Sequence, residues 1–135
     1  MRILIVDDQP QVRQGLMTVL RLAYKKAGLT LEVVGEAQNG AEAIQQARLL
    51  APDVILMDLA MPILDGYEAT RLIKAERPAS RVIILSIHTD PQTQERARAA
   101  GADGFITKGS SYEALLEAIL ANQPFPPATE ENVRT

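Results

Sequence analysis

The stretch Val54-Ile55-Leu56-Met57-Asp58 decides the fold. Its apolar residues run without a polar interruption and end on a carboxylate. A strand with one face in water alternates apolar and polar residues. A strand covered on both faces reads as a continuous apolar run, and such strands belong to parallel sheets flanked by helices. Ile3-Leu4-Ile5-Val6 and Val82-Ile83-Ile84-Leu85 have the same character. Leu31 with Val33 and Val34, and Phe105-Ile106, are shorter and more mixed, as edge strands would be.

Segments of helical period separate these blocks. Val12, Leu16, Val19, Leu20 and Ala23 recur at helical spacing, and Gly28 ends that run. Asn39 caps the next helix, with Glu42 three residues on and Ile44 and Ala47 facing inward. Asp65 with Glu68 repeats the signal before Leu72 and Ile73, and Pro78 lies beyond. Asp90-Pro91 is a cap followed by proline at the first helical position. Ser110 with Glu113 opens the last helix, whose Tyr112, Leu115, Leu116, Ile119 and Leu120 form one apolar stripe. Strand and helix therefore alternate through the chain. The predicted fold is an α/β three-layer sandwich, a flavodoxin-like (βα)5 arrangement around a parallel five-stranded sheet of order 2-1-3-4-5. The fourth helical segment is the weak one: from Pro91 to Ala100 it offers only Ala97, Ala99 and Ala100 to a core. It reads either as a surface helix or as a movable element.

Composition narrows the function classes. The chain has 135 residues, the size of one domain, and 47% hydrophobic residues exclude wholesale disorder. It has no cysteine, which excludes disulfides, thiolate metal sites and a cysteine nucleophile. A net charge of −3 gives no electrostatic footprint for nucleic acid. No apolar run approaches the ~20 residues of a membrane span. Met1 to Asp8 reaches acidic residues too early for a signal peptide, so the expected compartment is the cytoplasm. Proline and polar residues dominate after Asn122. The expected organisation is one domain over 1–122 and a linker or tail over 123–135.

The chemistry gathers at the carboxyl ends of the strands. Open parallel sheets bind ligands there, where the strand order reverses, which in this topology lies between the first and third strands. Asp7-Asp8 ends the first strand and Asp58 the third. Like charges so close are costly, and a hard divalent cation bound by oxygens is the natural neutraliser; Mg²⁺ needs only one or two carboxylates plus waters and a phosphate. The fourth strand ends in Ser86 and the fifth in Thr107-Lys108. An acidic metal pocket flanked by a hydroxyl and an ammonium suits a phosphoryl group. Asp58 is the candidate nucleophile, because the acidic pair can hold the metal and leave it free to attack.

These residues resemble the receiver domain of two-component response regulators. Ile3 to Asp8 resembles that family's first strand with its acidic pair, and Asp53 to Gly66 the segment around the phosphoacceptor. The resemblance implies that a sensor histidine kinase passes a phosphoryl group to Asp58. It implies that Asp8, Asp58 and the backbone carbonyl of Ala60 bind Mg²⁺, with Asp7 acting largely through water. It gives Lys108 to the phosphoryl group or Asp58, Ser86 to the phosphate as a hydroxyl switch, and Phe105 to an aromatic switch that works by packing. The fourth helix, fifth strand and fifth helix become the output surface. Ala60 and His88 fall at positions flanking the path of attacking water; His88 either orients or obstructs that water, or is an exposed loop histidine. Gly101 to Ser110 is similar to the NarL/FixJ (LuxR-type) subgroup, whose members usually carry a C-terminal helix-turn-helix domain. Many receivers have proline after the lysine; Gly109 takes its place here. The implied protein is a transcription-linked switch that catalyses only its own phosphorylation and dephosphorylation and pairs with a second copy when phosphorylated. DNA would be reached through the helix-turn-helix domain and not by this segment.

Three rival readings make different demands. A small-molecule aspartyl phosphohydrolase of the haloacid-dehalogenase type puts Asp-x-Asp on the first strand, where this chain has Asp7-Asp8-Gln9. A nucleotide-binding module could use Glu36 on a ribose, but Asp8 to Val12 holds no glycine loop to cradle a phosphate. A pseudo-receiver that works without phosphorylation would not need the full acid set.

Overall fold

The structure, a computed structural model, describes residues 1–120. The predicted boundary at 122 and the linker over 123–135 lie outside the described residues. The elements run β1 (Arg2–Val6), α1 (Pro10–Ala27), β2 (Glu32–Ala37), α2 (Gly40–Leu50), β3 (Val54–Asp58), α3 (Gly66–Glu76), β4 (Arg81–Ser86), α4 (Pro91–Ala99), β5 (Gly104–Thr107) and α5 (Tyr112–Leu120). All four strand pairings are parallel, and the sheet order is β2-β1-β3-β4-β5.

The continuous apolar runs are the three central strands. Successive side chains of a strand point to opposite faces, so each run feeds two cores. Leu4, Val6, Ile55, Met57, Val82 and Ile84 face α2, α3 and α4. Ile3, Ile5, Leu56, Ile83 and Leu85 face α1 and α5. β3 is buried at every position, whereas β2, at the sheet edge, has one buried residue and is otherwise half-buried or exposed. Phe105 and Ile106 of the other edge strand divide between the two cores.

The helix starts follow the capping residues, with one shift. Asn39 accepts from the Glu42 amide at 2.8 Å, Asp65 from Glu68 at 3.0 Å and Asp90 from Thr93 at 3.0 Å. At α5 the cap is Ser111, not Ser110: its Oγ accepts from the Ala114 amide. Ser110 is used up in the preceding turn, where its amide bonds the Thr107 carbonyl and Gly109 takes φ +85°.

Two apolar stripes are rotated from their expected faces. In α1 the buried residues are Met17, Leu20, Ala23 and Tyr24, while Val19 is exposed. Tyr24 packs into the core and reaches the Met1 sulfur with its hydroxyl, a placement hydropathy does not signal. Val12, Leu16 and Val19 instead edge a groove between α1 and α5. In α5 Leu115 and Ile119 are buried, but Tyr112 and Leu120 lie on the exposed flank. α4 is as thinly anchored as its sequence suggests: Ala97 is its only buried residue, and Ala99 is exposed.

Candidate functional site

The sheet delivers its chemical groups to one edge. Asp7 follows β1, Asp58 is the last residue of β3, Ser86 the last of β4, and Lys108 follows β5. Main-chain bonds continue the ladder past the strands: the Asp7 amide donates to the Ala37 carbonyl at 3.0 Å, and the Lys108 amide to Ser86 at 2.9 Å. α3 then closes against the end of β3. A Cβ on Gly66 would stand 2.1 Å from the Asp58 carbonyl oxygen, so only glycine permits this approach.

The charged groups meet at short range. Lys108 Nζ lies 2.9 Å from Asp7 Oδ2 and 3.2 Å from Asp58 Oδ1. One oxygen each from Asp7, Asp8 and Asp58 fall within 4.8 Å of one another. Asp7 and Asp58 are buried; Asp8 is exposed. Burial pushes the Asp58 carboxyl up, the Lys108 charge pulls it back, and the Asp7 and Asp8 charges add to the rise. Burial pulls the Lys108 ammonium down, but its hydrogen bond to Asp7 and the Asp58 charge outweigh this and leave it raised. Three carboxylates against one ammonium leave the site short of positive charge.

Above these groups opens a cleft of about 350 Å³. Asp8, Asp58, Ala60, Ser86, His88 and Lys108 line it, so six of the residues singled out from sequence share one cavity. Asp7 sits beneath it, held by the Gln9 amide on Oδ1 at 2.9 Å and by Lys108 on Oδ2. Ser86 Oγ accepts from the His88 amide at 3.0 Å, while the His88 side chain is exposed. Phe105 is not in the cleft. It is 9% exposed and packs in the core that contains Ala97 and Ala102.

Sequence reading missed several contributors. Tyr67 of α3 and Thr93 of α4 line the cleft, and Arg96 of α4 lies 4.0 Å from the Tyr67 ring centroid. No spacing rule pairs an α3 tyrosine with an α4 arginine, because the contact depends on how the two helices lie. Arg13 donates to the Asp7 main-chain carbonyl at 2.6 Å and to Glu36 at 2.8 Å. Glu36, weighed as a ribose ligand, is instead held by this arginine. Among the described residues, no helix is long and apolar enough to cross a membrane.

Comparison with known proteins agrees with this arrangement. The model of the response regulator receiver domain family matches residues 3–120. The transcriptional regulatory protein LnrK of Bacillus subtilis is 36% identical over 119 residues, covering 88% of this chain and 52% of LnrK. The chain thus spans about half the length of the curated relatives it matches. A LuxR-family response regulator from Aurantimonas has a similar crystal structure, with a TM-score of 0.81 and 36% identity over 98% of this chain and 94% of that one. The signal receiver domain assigned to NarL of Mycobacterium tuberculosis gives 0.80 and 32%, over 89% and 93%. With the fold, the acid-lined edge and a family match over nearly all the described residues in agreement, the chain belongs to the response regulator receiver domain family.

Proposed function

We propose that this domain is a phosphoacceptor switch in which Asp58 takes a phosphoryl group from a sensor histidine kinase. The observation that carries the reading is the placement of Lys108, whose ammonium is shared between Asp7 and Asp58 at the floor of a cleft that Ser86 also lines. An Asp58 oxygen attacks phosphorus, the phosphorus–nitrogen bond of the phosphohistidine breaks, and the imidazole leaves with the bonding pair. Lys108 stands within reach of the new phosphoryl oxygens, and Ser86 Oγ supplies a hydroxyl donor from the opposite wall.

The donor set suits Mg²⁺. Every side-chain ligand on offer is a hard carboxylate oxygen, and the charge is unbalanced. One oxygen each of Asp7, Asp8 and Asp58 falls within 4.8 Å of the others, so the acids converge on one place where a divalent ion would sit. Asp8, Asp58 and the Ala60 carbonyl would hold the ion, with Asp7 acting through water and through Lys108. Bound there, Mg²⁺ neutralises the carboxylates and the phosphoryl oxygens they would otherwise repel.

Phosphorylation adds charge at this edge and biases α4, β5 and α5 as the output surface, with Ser86 and Phe105 as the moving parts. Ala60 and His88, at the mouth, set the access of the water that ends the signal. The chemistry is confined to the domain's own phosphorylation and dephosphorylation. By analogy with its LuxR-type relatives, the domain works in the cytoplasm within a transcriptional regulator. There it is followed by a linker from 123 and a DNA-binding domain, and it pairs with a second copy once phosphorylated.

The test is incubation with Mg²⁺ and acetyl phosphate, or with BeF₃⁻. The expected result is a mass gain of one phosphoryl group on Asp58 and spectral shifts around the cleft. Absence of an Asp58-dependent adduct overturns the reading.

A further inference from the structure

We infer that Arg13, locked in place by Glu36, is a positioning residue for the metal-binding acids, fixing the direction of Asp8 through the Asp7–Asp8 peptide. This rests on the reading of Asp8 as a Mg²⁺ ligand and names what aims it.

Asp8 is exposed, so packing does not set its place. Its backbone does. A peptide unit is planar, so holding the Asp7 carbonyl holds the Asp8 nitrogen and Cα with it. Arg13 Nη1 donates to that carbonyl at 2.6 Å from the second turn of α1. Its Nε donates to Glu36 Oε1 at 2.8 Å, at the end region of β2. The guanidinium is a rigid fork, so one atom held by Glu36 aims the other. The Arg13 side chain is 14% exposed, which limits its alternatives. The remaining bonds on Asp7 come from the Ala37 carbonyl, the Gln9 amide and Lys108. None of these restrains its carbonyl oxygen. Arg13 also competes with no ligand for that oxygen, since the proposed metal is held by carboxylates and by the Ala60 carbonyl.

A second effect of Arg13 runs the other way, and the two are separable by sign. As a cation beside an acidic group, Arg13 lowers the attraction for a divalent ion. Its removal would therefore tighten metal binding if charge were its whole contribution. Removal loosens metal binding if the carbonyl contact positions Asp8. Partners that orient metal ligands typically carry roughly ten- to hundredfold in affinity.

The experiment is a titration of the unphosphorylated protein with Mn²⁺, with free ion read by its EPR signal, followed by competition with Mg²⁺. Arg13→Gln should raise the dissociation constant by about tenfold, the low end of that range. Arg13→Lys keeps the charge but cannot span both acceptors, and should lie between wild type and Arg13→Gln. Glu36→Gln, an exposed change that leaves Arg13 in place, should also weaken binding, but loss of its charge alone does so, and the Arg13 variants carry the distinction. With acetyl phosphate, half-saturation in Mg²⁺ should shift by the same factors while the rate at saturating Mg²⁺ stays near wild type. Unchanged or tighter binding in Arg13→Gln, or unchanged binding in Arg13→Lys, overturns the assignment while leaving the switch reading intact. A wild-type protein that takes up no Mn²⁺ overturns the switch reading and this one together. Should Arg13→Gln fail to fold, Arg13→Lys decides: it keeps the charge, so weaker binding reports the lost carbonyl contact.

Discussion

α2 and α4 open with the same device. Asn39 accepts from the amide three residues on at 2.8 Å, and Asp90 does so at 3.0 Å. Beyond that start they part. α2 buries Gly40, Ala43, Ile44 and Ala47, whereas α4 buries Ala97 alone. Local capping fixes where a helix begins, but a short helix is held by the apolar face it buries. The difference divides the cleft as well. Its acidic wall is built on β1 and β3 and backed by Gly66 of α3 and the fully buried residues of the core. Its other wall continues into α4, whose one buried residue is Ala97 and whose Arg96 lies over the Tyr67 ring. A switch needs such an asymmetry: fixed ligands on one side and an element that responds on the other.

The most severe test strikes the fixed wall. Asp58→Asn removes the attacking oxygen, and the adduct with acetyl phosphate should disappear entirely by mass spectrometry. The same change should raise the melting temperature of the metal-free protein. Asp58 holds its proton more tightly folded than unfolded, because burial and the neighbouring acids oppose its charge. Its contribution to stability is therefore greatest at low pH and falls as pH rises through its folded range. At neutral pH the charge works against folding, and asparagine lacks it. A melting temperature that falls would show that the acidic wall is held by its charges and not in spite of them.

The matched caps test the contrast directly. Asn39→Ala should lower global stability by about 1 kcal/mol, the usual worth of such a cap, visible as a shift in the urea midpoint. Asp90→Ala removes the same bond but should leave that midpoint nearly unmoved. Its effect should appear as faster amide exchange within α4. Equal shifts in global stability would mean that α4 unfolds with the rest of the domain. Acid repeats the experiment without mutation. The hydroxyl and amide of Thr93 hold the Asp90 carboxyl below its usual range. The stability it lends is thus present above the unfolded pKa and lost as pH falls through the lower, folded value. Asn39 does not titrate. Helical chemical shifts of α4 should decline on acidification in that window, while those near Asn39 persist.

This contrast was partly readable in the sequence. The bare polar pattern from Pro91 to Ala100 exposed the weakness of α4, because an amphipathic face leaves a periodic trace. The strand ends were legible for the same reason: Asp7, Asp8, Asp58, Ser86 and Lys108 each close an apolar block, and the topology brings block ends together. The turn at Gly109 and Ser110 moved the last cap by one residue, since two adjacent serines offer the same hydroxyl. Apolar spacing does not tell core from surface: Val19 edges a groove, and Tyr112 and Leu120 are exposed. Arg13, Tyr67 and Arg96 left no trace, and Glu36 was weighed only as a ribose ligand, because their contacts join elements that the local pattern does not bring together.

The gentlest test acts on the ring contact. Arg96 and Tyr67 tie α4 to α3 across the mouth of the cleft. An exposed cation–ring contact is worth about 0.5–1 kcal/mol. If it favours the present position of α4 over the phosphorylated one, removing it shifts that balance by the same amount and no more. Arg96→Ala and Tyr67→Leu should each tighten BeF₃⁻ binding by about two- to fivefold, measured at saturating Mg²⁺. Tyr67→Leu keeps an apolar side chain but loses the ring face and the hydroxyl, so agreement with Arg96→Ala, which keeps both, isolates the ring contact. The double variant should gain little beyond either single change, because both remove one interaction. Additive gains would instead assign the restraint to contacts that each side chain makes separately.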